Sequence, residues 1–232
     1  MSKTIVVVGF GPGISTSVAE RFGAAGFAVA LVARSEERLA AGVAALKAKG
    51  VAAAAFAGDA GDPASIRAAI AKARAALGPV TVVHWNAIGG SEAGDLVGAT
   101  PAAVRSLFDV AVIGLLAAVE EALPDLRAAG DGAVLVTNGA FGDATPTMDA
   151  FAVQLKSMGV AVANAAKHKL VGLLSARLKA DGVYVGEVTV AGAIKGTPFD
   201  NGSMTIEGAT VAERFWELYQ GRGEIRARVT PG

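Results

Sequence analysis

The sequence predicts an α/β fold built on one doubly wound parallel sheet. Apolar, β-rich runs alternate with alanine-rich helical segments along all 232 residues, which is typical of a parallel sheet with helices on both faces. The strand runs lack in/out alternation, as expected for strands buried on both sides. The 30 glycines, with abundant alanine and valine, favour close packing of helices on a sheet. No repeat or linker interrupts the pattern, so we expect residues 1–232 to form a single Rossmann-type domain.

The strands are predicted from short apolar runs rich in valine or alanine. In chain order these runs are TIVVVG, FAVALVA, VAAAAFA, VTVVHW, GAVLVTN, VYVGEVTV and EIRARV. A segment long enough for a crossover helix separates each run from the next, as parallel pairing requires.

The helix starts are marked by capping side chains. Ser35 precedes the second helical segment, while Asp62-Pro63 and Thr100-Pro101 each combine a capping residue with proline at the first helical position. The predicted helices begin at Ile14, after Ser35 and after Asp62, and then cover residues 101–129, about 148–179 and 209–220. The glycine-rich segment 192–208 has no periodicity and is predicted to be a mobile lid.

Composition restricts the possible partners. Lysine plus arginine and aspartate plus glutamate number 21 each, so no net charge attracts nucleic acid or an anionic membrane. The chain has no cysteine and two histidines, so we expect no disulfide and no metal site. The apolar run Ile5–Val8 is too short to span a bilayer, and the first residues do not resemble a signal peptide. We therefore expect a cytoplasmic protein whose partner is a small molecule.

A glycine-rich turn follows the first predicted strand. In VVVGFGPGIS, Gly9, Gly11 and Gly13 lead from the strand into the helix that begins at Ile14. Glycines there let the backbone approach a pyrophosphate, which the free N–H groups of the helix N-terminus then attract. A tight strand-to-helix turn needs glycine even without a ligand. Because this turn follows the first strand of an alternating pattern, we interpret it as a dinucleotide-binding site.

The end of the second strand indicates which dinucleotide is bound. An acidic residue there binds the 2′-hydroxyl of NAD, whereas an arginine suits the 2′-phosphate of NADP. The strand ends in A-L-V-A-R-S, with Arg34 at this point, so we predict NADP and consider NAD the weaker candidate. The alternative is a solvated arginine paired with Glu36 or Glu37.

Several motifs together resemble those of the short-chain dehydrogenase/reductase family over nearly the whole chain. V-G-F-G-P-G-I-S is similar to the family's T-G-x-x-x-G-x-G, with Ser15 at the last glycine. Gly58-Asp59 resembles the D-V pair that contacts adenine, and H-W-N-A-I-G resembles N-N-A-G, keeping Asn86 and Ala87.

The resemblance implies a fold, a cofactor and an assembly. It implies a Rossmann-type fold, a nicotinamide cofactor, and a homodimer or homotetramer built on the long helices. The segment I-K-G-T is similar to the family's P-G-x-x-x-T region, which implies that the backbone of Ile194 and the hydroxyl of Thr197 orient the nicotinamide carboxamide.

The resemblance breaks at the residues that transfer the proton. In VANAAKHKLVGLL the family's lysine matches Lys167, but Ala163 stands where the family has its tyrosine. The family's serine matches Asn138 or Gly139, and its asparagine matches Ala111. No Y-x-x-x-K motif exists anywhere in the sequence, so the family's usual proton path is missing.

The remaining polar residues leave two interpretations of the site open. Lys167 is a candidate acid, since burial lowers the pKa of a lysine; the alternative is that it only holds the ribose hydroxyls. Asn138 is a candidate donor to a substrate carbonyl, or it caps the turn that follows its strand. Asp143 and Asp149 are further candidate proton donors. We interpret His84 and Trp85 as core residues at the end of a strand.

Two functions follow from these motifs. The first is an atypical NADP-dependent oxidoreductase of this family, in which Lys167 and Asn138 serve catalysis on a small molecule. The second is a protein that binds or senses NADP(H) without turnover. Retention of Lys167 and Thr197 favours the enzyme, because a sensor of the adenine side would need neither.

Overall fold

The central sheet of the protein is parallel and has seven strands. In the computed structural model, which describes residues 3–89, 93–198, 200 and 202–232, they lie in the order β3-β2-β1-β4-β5-β6-β9. The strands of this sheet are β1 (Thr4–Val8), β2 (Ala28–Ala33), β3 (Ala53–Ala57), β4 (Val80–Trp85), β5 (Ala133–Gly139), β6 (Tyr184–Val190) and β9 (Arg226–Val229). The winding direction reverses between β1 and β4, which is where open α/β sheets bind their ligands. The predicted fold class is confirmed.

Helices cover both faces of the sheet. They are α1 (Ile14–Ala24), α2 (Glu36–Ala48), α3 (Pro63–Leu77), α4 (Pro101–Phe108), α5 (Leu115–Ala128), α6 (Pro146–Gln154), α7 (Met158–Leu178) and α8 (Gly208–Gly221). The predicted caps are present, because Ser35, Asp62 and Thr100 each accept a hydrogen bond from a backbone N–H in the first turn.

Two hydrophobic cores lie on opposite sides of the sheet. Ile5 and Val7 of β1 pack with α1, α2 and α8, whereas Val6 and Val8 pack with α3, α5 and α7. All four side chains are at most 1% exposed. The strands in the middle of the sheet carry mostly apolar side chains on both faces for this reason, which explains the missing alternation in the sequence.

The prediction of a single helix over residues 148–179 is wrong. The chain forms α6 and α7 with a break between them, where Lys156 has a left-handed φ of 49°. Gly94 lies directly on the break, since a Cβ added there would lie 2.6 Å from the carbonyl oxygen of Lys156. The apolar pattern of the sequence continues through the break. Because Gly94 and Lys156 are far apart in sequence, a local pattern cannot predict their contact.

The helical region predicted over 101–129 is continuous but not uniform. Between α4 and α5, residues Asp109–Gly114 form a π-helical segment, a conformation that is rare and frequent at functional sites. A Cβ added to Gly114 would lie 1.9 Å from the carbonyl oxygen of Ala60, so at this residue the helix backbone lies directly against the loop after β3.

The same region, Pro101–Ala128, is long and apolar enough to cross a membrane by length and composition. The core helix of a globular domain passes the same test. Here α5 packs against α3 and β4, and its buried side chains belong to one of the two cores.

The segment predicted as a lid contains short strands. Residues Ala193–Ile194 (β7) pair in parallel with Thr205–Ile206 (β8). Phe199 and Asn201 of this segment lie outside the described residues. The mobility of the segment stays a prediction.

Candidate active site

The glycine turn after β1 depends on two positive φ angles. Gly9 has φ 83° and Gly13 has φ 88°, a conformation that side chains rarely adopt. A Cβ on Gly9 would lie 2.5 Å from the backbone nitrogen of Ala87, and one on Gly13 would lie 2.7 Å from Cγ2 of Ile194. The structure therefore brings together three segments predicted to bind the cofactor, namely the turn, the segment after β4 and the segment after β6.

Ser15 stabilises the turn at the position of the family's third glycine. Its Oγ accepts a hydrogen bond from the Gly11 N–H and lies equally close, 2.9 Å, to the Gly11 carbonyl oxygen, to which it donates. The Thr16 hydroxyl donates to the same carbonyl oxygen at 2.8 Å. Helix α1 begins at Ile14, so the free N–H groups of its first turn lie beside the glycine turn. Ser15 and Thr16, which belong to α1, hold the glycine turn in place.

Arg34 follows the end of β2 and is exposed. It forms no ion pair or hydrogen bond with the described residues, so the alternative pairing with Glu36 or Glu37 is not formed. A second arginine lies nearby, because a Cβ on Gly11 would be 3.6 Å from Nη1 of Arg38. Sequence reasoning missed Arg38. Its place in the first turn of α2, next to the expected 2′-phosphate, was the available signal.

Asp59 follows the end of β3, and Asn86 follows the end of β4. The Asp59 carboxylate accepts from the Gly61 N–H at 2.9 Å. The Asn86 backbone N–H donates to the carbonyl of Val8 at 2.9 Å, next to the glycine turn. Both residues therefore lie at the carboxyl edge of the sheet.

Thr197 folds back on Ile194 after β7. Its hydroxyl donates to the Ile194 carbonyl oxygen at 2.7 Å, and its Cγ2 would lie 3.0 Å from a Cβ on Gly13. The two residues predicted to face the nicotinamide thus lie against the phosphate turn.

Lys167 is buried on the inner face of α7, with 5% of its surface exposed. Its Nζ donates a hydrogen bond to the carbonyl oxygen of Thr137 at 3.0 Å. Burial lowers the pKa of Lys167 to about 8, and the negative charge of Glu187 opposes that shift. A lysine with this pKa carries a proton near neutral pH and can release it more readily than an ordinary lysine.

Asn138 points into the protein. Its Nδ2 donates to the carbonyl oxygen of Asn164 at 3.0 Å and to the Glu187 carboxylate, and its Oδ1 accepts from the Gly139 N–H. Both amide hydrogens are therefore in use, which favours a positioning role for Asn138 over direct contact with a substrate.

Glu187 is a buried carboxylate that sequence reasoning missed. It is fully buried in β6, and besides Asn138 it faces His168 Nδ1 at 3.0 Å and Arg226 Nε at 3.5 Å. A single charged residue within the apolar run VYVGEVTV was the available signal, since an isolated buried charge is costly and is normally paired.

A small pocket lies beside Lys167. Its lining is mostly apolar, and the only ionisable group among the described lining residues is Lys167. The lining includes Leu107, Ala111, Val160, Ala163, Asn164 and Lys167. Ala111 reaches the pocket from the π-helical segment, and Ala163 leaves open the space that a larger side chain on α7 would fill. The pocket's volume of about 10 Å³ is the space of about one water molecule.

The other candidate residues lie outside this pocket. His84 is fully buried, its ring contacts Phe215 with centroids 4.9 Å apart, and burial lowers its pKa to about 3. It is therefore a neutral core residue, like the buried Trp85. Asp143 pairs with Arg228 at 2.8 Å, and neither Asp143 nor Asp149 lines the pocket.

The parallel sheet, the glycine turn at its switch point and a buried lysine on the facing helix define a nucleotide-binding oxidoreductase fold. The model of the short chain dehydrogenase family matches residues 3–198, and the chain belongs to that family. No curated protein sequence matches it significantly.

Solved structures with the same fold cover nearly the whole chain. L-Sorbose reductase from Gluconobacter frateurii, complexed with NADPH and L-sorbose, is 20% identical with a TM-score of 0.84, over 100% of this chain and 97% of that one. An NADPH-bound short chain oxidoreductase from Pseudomonas aeruginosa PAO1, described as containing an atypical catalytic center, is 20% identical with a TM-score of 0.84, over 100% and 96%. A blue fluorescent protein from a metagenomic library, in complex with NADPH, is 24% identical with a TM-score of 0.81, over 99% and 97%. At these identities the likeness shows the fold alone.

Proposed function

We propose that the protein is an NADP-dependent oxidoreductase that reduces a small uncharged molecule and uses Lys167 as its proton donor. The observation that carries the proposal is the placement of Lys167. It is buried beside an apolar pocket at the carboxyl edge of the sheet, with its pKa lowered to about 8. A purely structural lysine gains little from such a place, because burial makes its charge costly.

The proposed cofactor is NADP(H), and NAD is the weaker candidate. The glycine turn leads into the free N–H groups at the start of α1, which attract a pyrophosphate. Arg34 has no competing partner among the described residues. Arg38 adds a second cation on the same side of the turn. Arginine suits a phosphate because its planar group donates two hydrogen bonds at once. The three similar structures named above are NADPH complexes, which agrees with the assignment.

In the proposed reaction each residue has a separate task. When bound, NADPH supplies a hydride from its nicotinamide. The substrate carbon would accept the hydride, the electron pair of its double bond would move to the other atom of that bond or to an atom conjugated with it, and the Lys167 ammonium group would supply the proton. The Thr137 carbonyl uses one of the three ammonium hydrogens, which leaves two for the ribose and the substrate. Lys167 then regains a proton from solvent.

Asn138 and Glu187 hold the helix that carries Lys167. Asn138 binds the carbonyl of Asn164 one turn before the lysine, and Glu187 fixes the orientation of Asn138. The negative charge of Glu187 also keeps the pKa of Lys167 from falling further. We assign both residues a positioning role.

A cofactor-oxidation screen tests the proposed function. The loss of NADPH absorbance is followed with small ketones, enones and imines as substrates. Turnover of at least one class is expected. If none is turned over although NADPH binds tightly, the protein binds or senses the cofactor without catalysis, and the proposed activity is wrong.

We also propose that the chain forms a homodimer or a larger homo-oligomer. Ile113, Val162 and Leu173 are between 43% and 57% exposed on the helices of the α5 and α7 side. Large apolar side chains on adjacent helices are costly to leave in water, and a second copy of the chain would cover them.

A further inference from the structure

His84 is a polar side chain inside an otherwise apolar core. It is fully buried in β4, and its ring packs edge-on against Phe215 of α8. Within the described ranges its Nδ1 has no hydrogen-bond partner, whereas its Nε2 lies 3.1 Å from the hydroxyl oxygen of Thr137. Burying a polar ring costs free energy, and one hydrogen bond offsets only part of that cost. The bond to Thr137 is the one contribution of His84 that an apolar side chain could not make.

The direction of this hydrogen bond follows from the protonation of the ring. Burial lowers the pKa of His84 to about 3, so the ring is neutral and carries one proton. A proton on Nδ1 would leave a buried N–H without an acceptor, and among backbone groups orphaned donors are rarer than orphaned acceptors. Neutral histidine in water also prefers its proton on Nε2. His84 therefore donates to Thr137.

The hydroxyl hydrogen of Thr137 is then left for another acceptor. The hydroxyl accepts from His84 and can donate one hydrogen bond of its own. In the part of the chain that the structure describes, it has no other partner. Thr137 is half-buried, whereas every other residue from Ala133 to Asn138 of β5 is buried. The exposed atoms of Thr137 therefore lie where the crevice opens at the carboxyl end of the strand.

Thr137 and the glycine turn lie on the same face of the sheet. Side chains two residues apart on a strand share a face, so Thr137 points to the same side as Leu135. Leu135 packs in the core that also contains Ile14, the first residue of α1, and Ile194. The hydroxyl of Thr137 thus faces the side of the crevice on which the glycine turn leads into α1.

The position of β5 decides which half of a dinucleotide the hydroxyl meets. Arg34 and Asp59, which are expected at the adenosine, follow β2 and β3, and β5 lies on the other side of β1. The nicotinamide half therefore extends toward β5. On that side the Thr197 hydroxyl already donates its single hydrogen to the Ile194 carbonyl oxygen, whereas Thr137 still has a hydrogen to donate.

We propose that His84 is a positioning residue for the cofactor: its Nε2–H fixes the Thr137 hydroxyl, and the hydroxyl donates its hydrogen to an oxygen atom of the nicotinamide nucleoside. This inference rests on the proposed function, which makes NADP(H) the cofactor. The acceptor is the carboxamide oxygen or a ribose oxygen. The backbone carbonyl of Thr137 also holds Lys167, so one residue links the proposed proton donor to the cofactor.

The test measures binding and does not depend on turnover. NADP⁺ and adenosine 2′,5′-bisphosphate, which lacks the nicotinamide nucleoside, are titrated by calorimetry against the unmodified protein and Thr137→Val. This variant keeps the shape of the side chain and the carbonyl that holds Lys167. It should lose about fivefold or more in NADP⁺ affinity, as expected for one hydrogen bond, and keep its affinity for the bisphosphate. Thr137→Ser should restore the NADP⁺ affinity.

A third ligand identifies the acceptor. 2′-Phospho-ADP-ribose keeps the ribose and lacks the carboxamide. If Thr137→Val binds it as tightly as the unmodified protein does, the acceptor is the carboxamide oxygen. If its affinity falls as that of NADP⁺ does, the acceptor is a ribose oxygen.

His84 has its own readouts. ¹⁵N NMR of the ring should show the proton on Nε2, both in the free protein and in the NADP⁺ complex. His84→Leu removes the donor and should lose about twofold to fivefold in NADP⁺ affinity, with the bisphosphate unaffected. His84→Gln keeps an N–H donor and should bind NADP⁺ more tightly than His84→Leu.

The outcomes separate this inference from the proposed function. Equal NADP⁺ affinity in the unmodified protein and in Thr137→Val overturns it, and so does an equal loss for NADP⁺ and the bisphosphate. A ring proton on Nδ1 overturns the role of His84. In each of these cases, turnover in the substrate screen leaves the oxidoreductase standing. A selective loss of NADP⁺ affinity in Thr137→Val, without turnover of any compound, supports the inference and removes the catalytic function.

Discussion

The two halves of the candidate site differ in what holds them together. The adenosine half, around the turn after β1, is made by backbone atoms that approach each other closely, such as those of Gly9 and Ala87. The substrate half, around α7, is made by side chains that bond each other, such as Asn138 and Glu187. A backbone contact admits one residue type, whereas a side-chain network can be rebuilt from different donors. The resemblance of the sequence to the family's motifs is accordingly closer around the turn after β1 than around α7.

Replacing Lys167 should have the largest effect. Positioned acid–base groups contribute about 10²- to 10⁴-fold to a rate, so Lys167→Met should lose at least about 100-fold in turnover. Lys167→Arg keeps a donor for the ribose but cannot release its proton near neutral pH. If Lys167 is the acid, Lys167→Arg binds NADPH and is nearly inactive. If much of the activity survives, Lys167 only anchors the ribose and the proton comes from another group. Steady-state kinetics with the best substrate of the screen decides.

The pH dependence follows from the pKa of Lys167, which burial lowers to about 8. Reduction should slow as pH rises through about 8, because the folded protein then loses the proton that it must donate. Stability should change in the opposite direction. Between about pH 8 and pH 10.5 the lysine is still protonated in the unfolded chain but not in the folded protein. The free energy of unfolding therefore rises with pH in this range. Lys167→Met should abolish that rise in denaturant titrations, and an unchanged rise would contradict the assignment.

Gly9→Ala tests the backbone half. The positive φ alone should cost about 1 to 3 kcal/mol, and the close approach to Ala87 adds to it. Gly26→Ala is a matched control, since Gly26 has φ 90° but nothing lies within 4 Å of an added Cβ. We expect both variants to melt at lower temperature, and only Gly9→Ala to lose affinity for NADPH. Equal cofactor affinity in the two variants would show that the turn does not hold the pyrophosphate.

Arg34→Ala should have a smaller effect, confined to cofactor choice. A charge-assisted hydrogen bond contributes about 1.5 to 3 kcal/mol, so the variant should lose about tenfold or more in NADPH affinity and keep its NADH affinity. Arg177→Ala is the control, because Arg177 is an exposed arginine paired with Asp181 at the end of α7. Fluorescence titration of both cofactors measures the preference. Equal affinities in the unmodified protein would remove the case for NADP.

Substitutions on the exposed apolar surface of the helices should have the smallest effect on the site. Light scattering at micromolar concentration should give a mass of at least two chains. Leu173→Glu places a charge on a side chain that is 57% exposed, and it should shift the protein toward the monomer without changing the fold. A monomeric mass for the unmodified protein would refute the assembly.

The geometry of the glycine turn after β1 could be predicted because its signals are local. This part of the site is built from residues that are close in sequence, namely the first strand, the glycines after it and Arg34. Local sequence patterns therefore predict how these residues are arranged. The direction of the Asn138 side chain is decided by Glu187, which is 49 residues away in sequence. The break at Lys156 depends on Gly94, which is 62 residues away in sequence. Such relations appear only when the sheet and its helices are assembled.

The π-helical segment at Asp109–Gly114 has a consequence for insertions and deletions. A π turn holds one residue more than the corresponding α turn, so removing one residue there would let α4 continue into α5 with ordinary bonds. The residues that follow, among them Leu115, Ala118 and Ala122, would keep their places in the core, because the π turn already absorbs the extra residue. Removing one residue from within α5 would instead turn the rest of that helix by about 100° and carry its buried side chains away from the sheet. The π-helical segment is therefore the part of this long helix that can lose a residue without loss of the core.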